Sequence, residues 1–264
     1  MSRLTDFARR HKTALLRILA FALALLLWQV AAMAVGEQVL LASPLSVLGE
    51  LFAILTASKS YAVIFTSAAR ILSGFFAGFL LAAVLAVLAS RFPILETLLF
   101  PYMITIRSIP VASFIVVAWV FLDAKALSGF ISFLIVLPVV YNNLQEGLHA
   151  RDRALDEMAS VYSIPFGRRL FYILRPQLRP TLLSATETSV GLSWKSGIAA
   201  EVIAMTSHTI GENIYNSKVW LDTPALFAWT VVIVLASLAS EKLILLALRL
   251  LLGERRTSCK TSAS

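Results

Sequence analysis

The chain is poor in the residues from which most catalytic centres are built. It has one cysteine, Cys259, near its end, so neither a disulfide framework nor a cysteine metal site can be assembled. His11, His149 and His208 are scattered without the spacing of metal ligands. No Gly-x-x-x-x-Gly-Lys phosphate loop occurs, since Lys195-Ser196 follows Trp194 without a glycine frame, and no Gly-x-Ser-x-Gly elbow is present. Charge is scarce as well: 14% of the 264 residues are charged while 59% are hydrophobic, and the mean hydropathy is +0.83. A soluble globule wets its surface with charged residues amounting to about a quarter of the chain. This composition excludes that class and places the chain in a bilayer.

What the sequence does contain is apolar runs, and a helix needs about 20 such residues to cross the hydrocarbon core. Six runs qualify, at 15–35, 63–89, 97–122, 126–141, 182–205 and 225–248. The third is interrupted by Arg107 and Pro110, the fourth is short and holds Pro138, and the fifth carries Glu187, Lys195 and Glu201. The expected fold is therefore an all-α membrane protein of about six transmembrane helices. Residues 1–14 form a cytoplasmic N-terminus, 15–248 the membrane domain with a cytoplasmic loop at about 142–181, and 249–264 a cytoplasmic tail, disordered in character from Thr257.

The distribution of cations supports that orientation, because Lys and Arg near span ends are retained on the cytoplasmic side. They cluster at both ends of the chain and in the 142–181 loop, whereas the connections on the opposite side hold only Lys59, Lys125 and Lys218. The net charge of +8 is thereby a topology signal, and no nucleic-acid partner is needed to account for it. The basic start, first apolar run and Ala32-Met33-Ala34 imitate a cleavable signal peptide, but the run of about 20 residues is longer than a signal core, so a retained first span is expected. On the outer side, Ser43-Pro44 followed by Leu45, Val47, Leu48, Leu51, Phe52 and Leu55 predicts a turn into a helix on the membrane surface.

The 142–181 loop carries the most informative local pattern. Leu155, Met158, Ala159 and Tyr162 stand at i, i+3, i+4 and i+7, an apolar stripe on a helix whose remaining positions include Arg151, Asp152, Arg153, Asp156 and Glu157. Two outcomes are open from periodicity: the stripe packs on the ends of its own spans, or it fills a groove in a partner protein.

From Glu157 the spacing runs Glu157-Met158-Ala159, three residues, Ser163, nine residues, then Ile173-Leu174-Arg175-Pro176. It resembles the Glu-Ala-Ala loop of the membrane subunits of bacterial ATP-binding-cassette (ABC) importers, which runs Glu-Ala-Ala, three residues, Gly, nine residues, Ile, any residue, Leu, Pro. Glu157, Ala159, Ile173 and Pro176 fall on that pattern; Met158, Ser163 and Arg175 depart from it. Ala42-Ser43-Pro44, the stretch from Ile106 to Ala112 and Ala199-Ala200-Glu201-Val202 are similar to the branch of permeases associated with nitrate, sulfonate and taurine uptake.

The resemblance implies a type I importer permease of the bacterial inner membrane, which forms the path for a small anion and is not itself an enzyme or cofactor protein. It implies as partners a cytoplasmic ATPase dimer that binds the ATP, an extracytoplasmic substrate-binding protein and a second permease copy. The first loop helix, at about 153–162, is similar to a coupling helix seated in a cleft of the ATPase. In that frame Ser163 either adopts a left-handed turn in place of the family glycine or caps the second loop helix, with Gly167 adding local freedom; the capping role is favoured. Arg175 is expected to be a solvated surface side chain. Glu157 is expected to fix the angle between the loop helices by bonding backbone amides or Arg168 or Arg169. Among charges inside spans, Arg107, Glu187, Lys195 and Glu201 are the candidates for the pathway or for intramembrane pairs, and for Lys195 an ion pair with an acid on another span is favoured. The small residues of the fifth span, among them Gly191, Ser193, Ser196 and Gly197, suit close helix approach. The competing class is a gradient-driven carrier or channel, which would leave the 142–181 loop without a role.

Overall fold

The computed structural model describes residues 2–252, and the tail from Thr257 with Cys259 lies outside them. Helix α1 spans Ser2–Val35, α2 Pro44–Thr56, α3 Ser58–Arg91, α4 Pro93–Ser108, α5 Val111–Phe121 and α6 Ala124–His149. Then come the short helices α7, Arg153–Val161, and α8, Phe166–Arg169, a π-helical turn at Leu170–Leu174, α9 Arg175–Ile203, α10 Ile210–Val219 and α11 Thr223–Leu251. The six apolar runs fall on helix except at Ile109, Pro110 and Leu122 of the third and Ala204 and Met205 of the fifth. Among the described residues, α1, α3, α6 and α11 contain stretches long and apolar enough to cross a membrane, and α4 with α5 makes a bent fifth candidate. Helix α9 has the length, 29 residues, but its charged positions depress its hydropathy.

The third run differs from a simple span. Helices α4 and α5 meet at 103° across a break at Ile109 and Pro110. Proline lacks an N–H and its ring pushes the preceding residue out of the helical region; Ile109 accordingly has φ −77°, ψ 134°.

The chain divides into two compact units. Among the described residues one comprises 2–61 and 213–232, the other 62–212 and 233–252. In the first, Ser43 caps α2 by accepting from Ser46 N at 3.2 Å, with Pro44 at the first helical position. Val47 and Ile54 are buried, while Leu45, Leu48, Phe52 and Leu55 are exposed. Trp28 of α1 and Phe227 of α11 bring their rings within 5.6 Å.

The core of the second unit is built on α6 and α9. Leu127, Ile131, Val136 and Val140 of α6 are buried, as are Ala185, Val190, Trp194 and Ala200 of α9. Small residues permit the approach: Ser132 Oγ donates to the Ser193 carbonyl at 3.1 Å, and a Cβ on Gly197 would meet Ile71 at 2.6 Å and Ser132 Oγ at 2.7 Å. Ser193 and Gly197 thus serve packing within the chain, while nothing lies within 4 Å of a Cβ at Gly191. On another face of α6, helix α3 comes close enough that a Cβ on Gly74 would overlap the Gly129 carbonyl oxygen. This is the close helix crossing that glycine makes available in lipid.

Candidate functional site

Three features of the second unit bear on function. The first is a cavity of about 390 Å³ beside the α4–α5 break. Arg107, one residue from the end of α4, shares it with Asn142 and Asn143 of α6 and Thr188 of α9, and Pro138 and Leu192 add apolar wall. Thr188 is 13 residues along α9 and Arg107 is 14 residues along α4, so both lie roughly 20 Å from the starts of their helices. Interrupted helix and an ionisable side chain at membrane depth are tolerated where they line a cavity. Asn143 donates its Nδ2 hydrogen to the Val139 carbonyl at 2.7 Å, which leaves its amide oxygen for other partners. The cavity therefore offers one guanidinium, side-chain amides and a hydroxyl amid apolar walls, the chemistry that holds a small anion with an apolar part.

The second feature is the loop around α7. Asp152 caps the helix, its Oδ1 accepting from Ala154 N at 2.9 Å, while Asp152 N donates to Gln177 Oε1 at 3.0 Å and pins the loop to the start of α9. Of the predicted stripe only Ala159 is buried, at 2% exposure; Leu155, Met158 and Tyr162 are exposed at 37%, 41% and 75%. The stripe does not fold back onto the chain's own spans, and Val161 adds to the open apolar face at 78%. Glu157 is exposed beside it.

At the end of α7 the favoured role for Ser163 is corrected. Ser163 has φ +49°, a left-handed residue. Its N–H bonds the Ser160 carbonyl at 3.1 Å and Ile164 N–H bonds the Ala159 carbonyl at 2.9 Å, the paired bonds of a Schellman stop. The helix end needs its carbonyls satisfied, and that demand outweighs the conformational cost of a Cβ at the turn. Gly167 follows in α8 with open space around it.

Arg175 is corrected as well. Its guanidinium stacks over the Phe171 ring at 4.3 Å from the centroid and donates to the Leu251 carbonyl at the end of α11. A long side chain with a planar head gains more from an aromatic face and a free helix-end carbonyl than from water. Ile173 is buried, and Pro176, which cannot donate to the helical ladder, is the second residue of α9, one past Arg175, which follows the π-helical turn.

The third feature is the end of α9. Glu201 is wholly buried. Its Oε2 accepts from Ser67 Oγ of α3 at 2.8 Å and from Gly211 N of α10 at 3.2 Å. A Cβ on Gly211 would overlap Glu201, so only glycine permits that amide to approach. The intervening turn has two left-handed residues, Met205 at φ +47° and His208 at φ +59°. Thr206 holds it by donating Oγ1 to the Ala124 carbonyl at 3.1 Å. Glu201 is thus an intramembrane charge that organises a turn, set apart from the cavity.

Of the other in-span charges, Glu187 and Lys195 are exposed on α9. Among the described residues neither forms an ion pair, so the pairing favoured for Lys195 is not made there. Arg107 alone of the four candidates lines the cavity. The sequence reading missed Asn142, Asn143, Thr188 and Ser67. Consecutive asparagines at the end of an apolar run were the available signal for the first two; Ser67 offered none, because a serine in a span is ordinarily satisfied by its own helix.

Comparison with known proteins gives the family. The profile of a family described as "Binding-protein-dependent transport system inner membrane component" matches residues 74–251. A Brucella melitensis protein whose name describes an ABC transporter permease is 28% identical over 230 residues, covering 87% of this chain and 92% of the relative. A Brucella abortus protein of the same description shows the same identity with 87% and 91% coverage. An Escherichia coli K12 protein, named as an aliphatic sulfonates transport permease, is 28% identical over 120 residues, 45% of each chain.

Proposed function

The chain belongs to the family of binding-protein-dependent transport system inner membrane components, the permease subunits of ABC importers, and from that premise we propose how this one works. Two copies pair about a twofold axis in the bacterial inner membrane, both termini of each facing the cytoplasm. An ATPase dimer docks on the face that carries α7, and an extracytoplasmic binding protein delivers solute on the other, near Pro44 or the 206–222 segment. ATP is held by the partner, and this chain needs no cofactor of its own.

The observation that carries the reading is the exposed apolar face of α7. A helix that buries Ala159 while leaving Met158, Val161 and Tyr162 open is anchored on one side and free to fill a groove on the other. Asp152 and Gln177 tie it to α9, so displacement of α7 by closing ATPase subunits is passed to a helix that lines the cavity. Such rigid-body transmission suits the alternation between inward-open and outward-open states.

The solute is a small anion, and an organic sulfonate fits best. Arg107 supplies the charge, Asn142, Asn143 and Thr188 the hydrogen bonds, and the apolar wall the room for a carbon chain; the sulfonate name of the Escherichia coli relative points the same way. Exposed Glu187 and Lys195 stand on the same helix as Thr188 and border the route.

Reconstitution in proteoliposomes with the ATPase and binding protein tests this. Met158→Ala with Tyr162→Ala is expected to lower solute-stimulated ATP hydrolysis and uptake by roughly tenfold, the loss typical of removing interface anchors. Gradient-driven uptake by the purified chain alone, without an ATPase, would overturn the reading.

A further inference from the structure

A second groove, of about 370 Å³, lies between α3 and α6. Its lining positions on α6, such as Lys125, Gly129 and Phe130, are centred about 140° around that helix from those of the Arg107 cavity, taking 100° per residue. The groove therefore opens away from the cavity. It exists because Gly74 and Gly129 let the two backbones meet without side chains to fill the space.

Two cations enter it. Arg70 of α3 has its Nη1 buried with no hydrogen-bond partner among the described residues. Lys125 is exposed on the first turn of α6. Neighbouring polar groups leave that nitrogen open: Ser73 Oγ donates to the Arg70 carbonyl at 2.7 Å, and Glu201, close enough to feel the charge of Arg70, hydrogen-bonds Ser67 and Gly211 through Oε2 and makes no hydrogen bond to the guanidinium. A guanidinium whose buried Nη1 makes no hydrogen bond is costly in a membrane protein unless a further anion or water meets it.

Depth decides which anion. Arg70 lies level with Gly129, where a Cβ would sit 3.1 Å from the Arg70 carbonyl oxygen, about 6 Å along α6 from Lys125. Helix α6 has 26 residues, about 39 Å, and exceeds the hydrocarbon thickness of about 30 Å, so its first turns reach headgroup level. Toward the bilayer centre the groove's own lining turns apolar, with Ala77 on α3 and Phe130 and Phe133 on α6. Cations at the headgroup and aromatic and aliphatic surface below them match a phospholipid, head to tail. We propose that this groove is a binding site for an anionic phospholipid, with the phosphate between Arg70 and Lys125 and an acyl chain along Ala77, Phe130 and Phe133. The site requires only the membrane placement of α3 and α6 and is independent of the ATPase reading.

Native mass spectrometry of the full-length chain released from detergent, after titration with phosphatidylglycerol or with phosphatidylcholine of the same acyl chains, provides the test. The unaltered chain retains phosphatidylglycerol preferentially. Arg70→Gln with Lys125→Gln is expected to cut that retention roughly tenfold, given the electrostatic contribution of each cation near an anionic headgroup, while the control Lys59→Gln leaves it intact. Should the double variant misfold, Lys125→Gln alone, at an exposed position, is expected to lose about threefold. Undiminished retention in the folded variants overturns the proposal. So does displacement of phosphatidylglycerol by methanesulfonate, because the groove would then be a site for soluble anions.

Discussion

The Ser67 hydroxyl donates to the Glu201 carboxylate at 2.8 Å and accepts from the Ile210 amide at 2.9 Å. One small side chain on α3 thus joins the end of α9 to the start of α10. The carboxylate completes the corner through Gly211 N, and none of these groups reaches water.

Ser67→Ala should therefore be disproportionately costly for so small a change. It strands the Ile210 N–H and removes a donor to Glu201, and a buried polar group left without a partner costs about 1–3 kcal/mol. A fall in thermal midpoint of several degrees is expected in detergent. Glu201→Gln keeps an oxygen that can accept from Ser67 and Gly211 and should be milder than Glu201→Leu. Equal midpoints for the Gln and Leu variants would refute the hydrogen-bonded corner.

Gly74 provides a sharper contrast. A methyl group there would overlap the Gly129 carbonyl oxygen, which is backbone and has little freedom to move, whereas nothing lies within 4 Å of a Cβ at Gly191 or Gly167. Gly74→Ala should lower stability by about 2 kcal/mol or more, as overpacking at a tight contact does. Gly191→Ala should be neutral or slightly stabilising, since alanine favours helix by about 1 kcal/mol over glycine. Comparable thermal midpoints for the two variants would mean that α3 and α6 do not cross as closely as described.

The fold was legible in the sequence because membrane burial writes itself as length and hydropathy: the six apolar runs became helix but for the breaks in the third and the end of the fifth. The break at Pro110 and the extent of α7 were readable too, each from a single proline or a three-to-four periodicity. What could not be read was which face of each helix meets what. Ser163 was assigned to a cap because serine is a good one, yet the Schellman bonds of Tyr162, Ser163 and Ile164 are made by backbone and leave no mark in side-chain identity. Arg175 was assigned to solvent because Leu251, 76 residues away, is brought to it only by folding; Phe171, four residues before it, was the local signal overlooked. The cavity residues were divided for the same reason: Arg107 is conspicuous in an apolar run, while Thr188 becomes notable only opposite it.

Ser163 at φ +49° is a site where glycine should improve the chain. A non-glycine residue in the left-handed region costs roughly 1 kcal/mol, so Ser163→Gly should slow amide exchange at Ser163 and Ile164 by about fivefold, the factor equivalent to that energy. Ser163→Val, whose branched Cβ is worse in that region, should speed it. Unchanged protection in both variants would argue against a left-handed stop.

Arg107 is the side chain on which the solute reading turns. A cation at the α4–α5 break meets no acid within the described residues, and it shares its cavity with Asn142, Asn143 and Thr188. If it holds the anionic group, neutralising it should raise the apparent KM of the reconstituted importer far more than it changes complex assembly. A charge-assisted hydrogen bond contributes about 1.5–3 kcal/mol, so Arg107→Gln should weaken uptake on the order of 10- to 100-fold. Arg107→Lys keeps the charge but loses the planar fork and should fall between. The solute affinity of the binding protein, a separate polypeptide, serves as the internal reference. Uptake by the Gln variant at the unaltered KM, with the complex intact, would remove Arg107 from the pathway and leave the cavity a structural void beside a proline break.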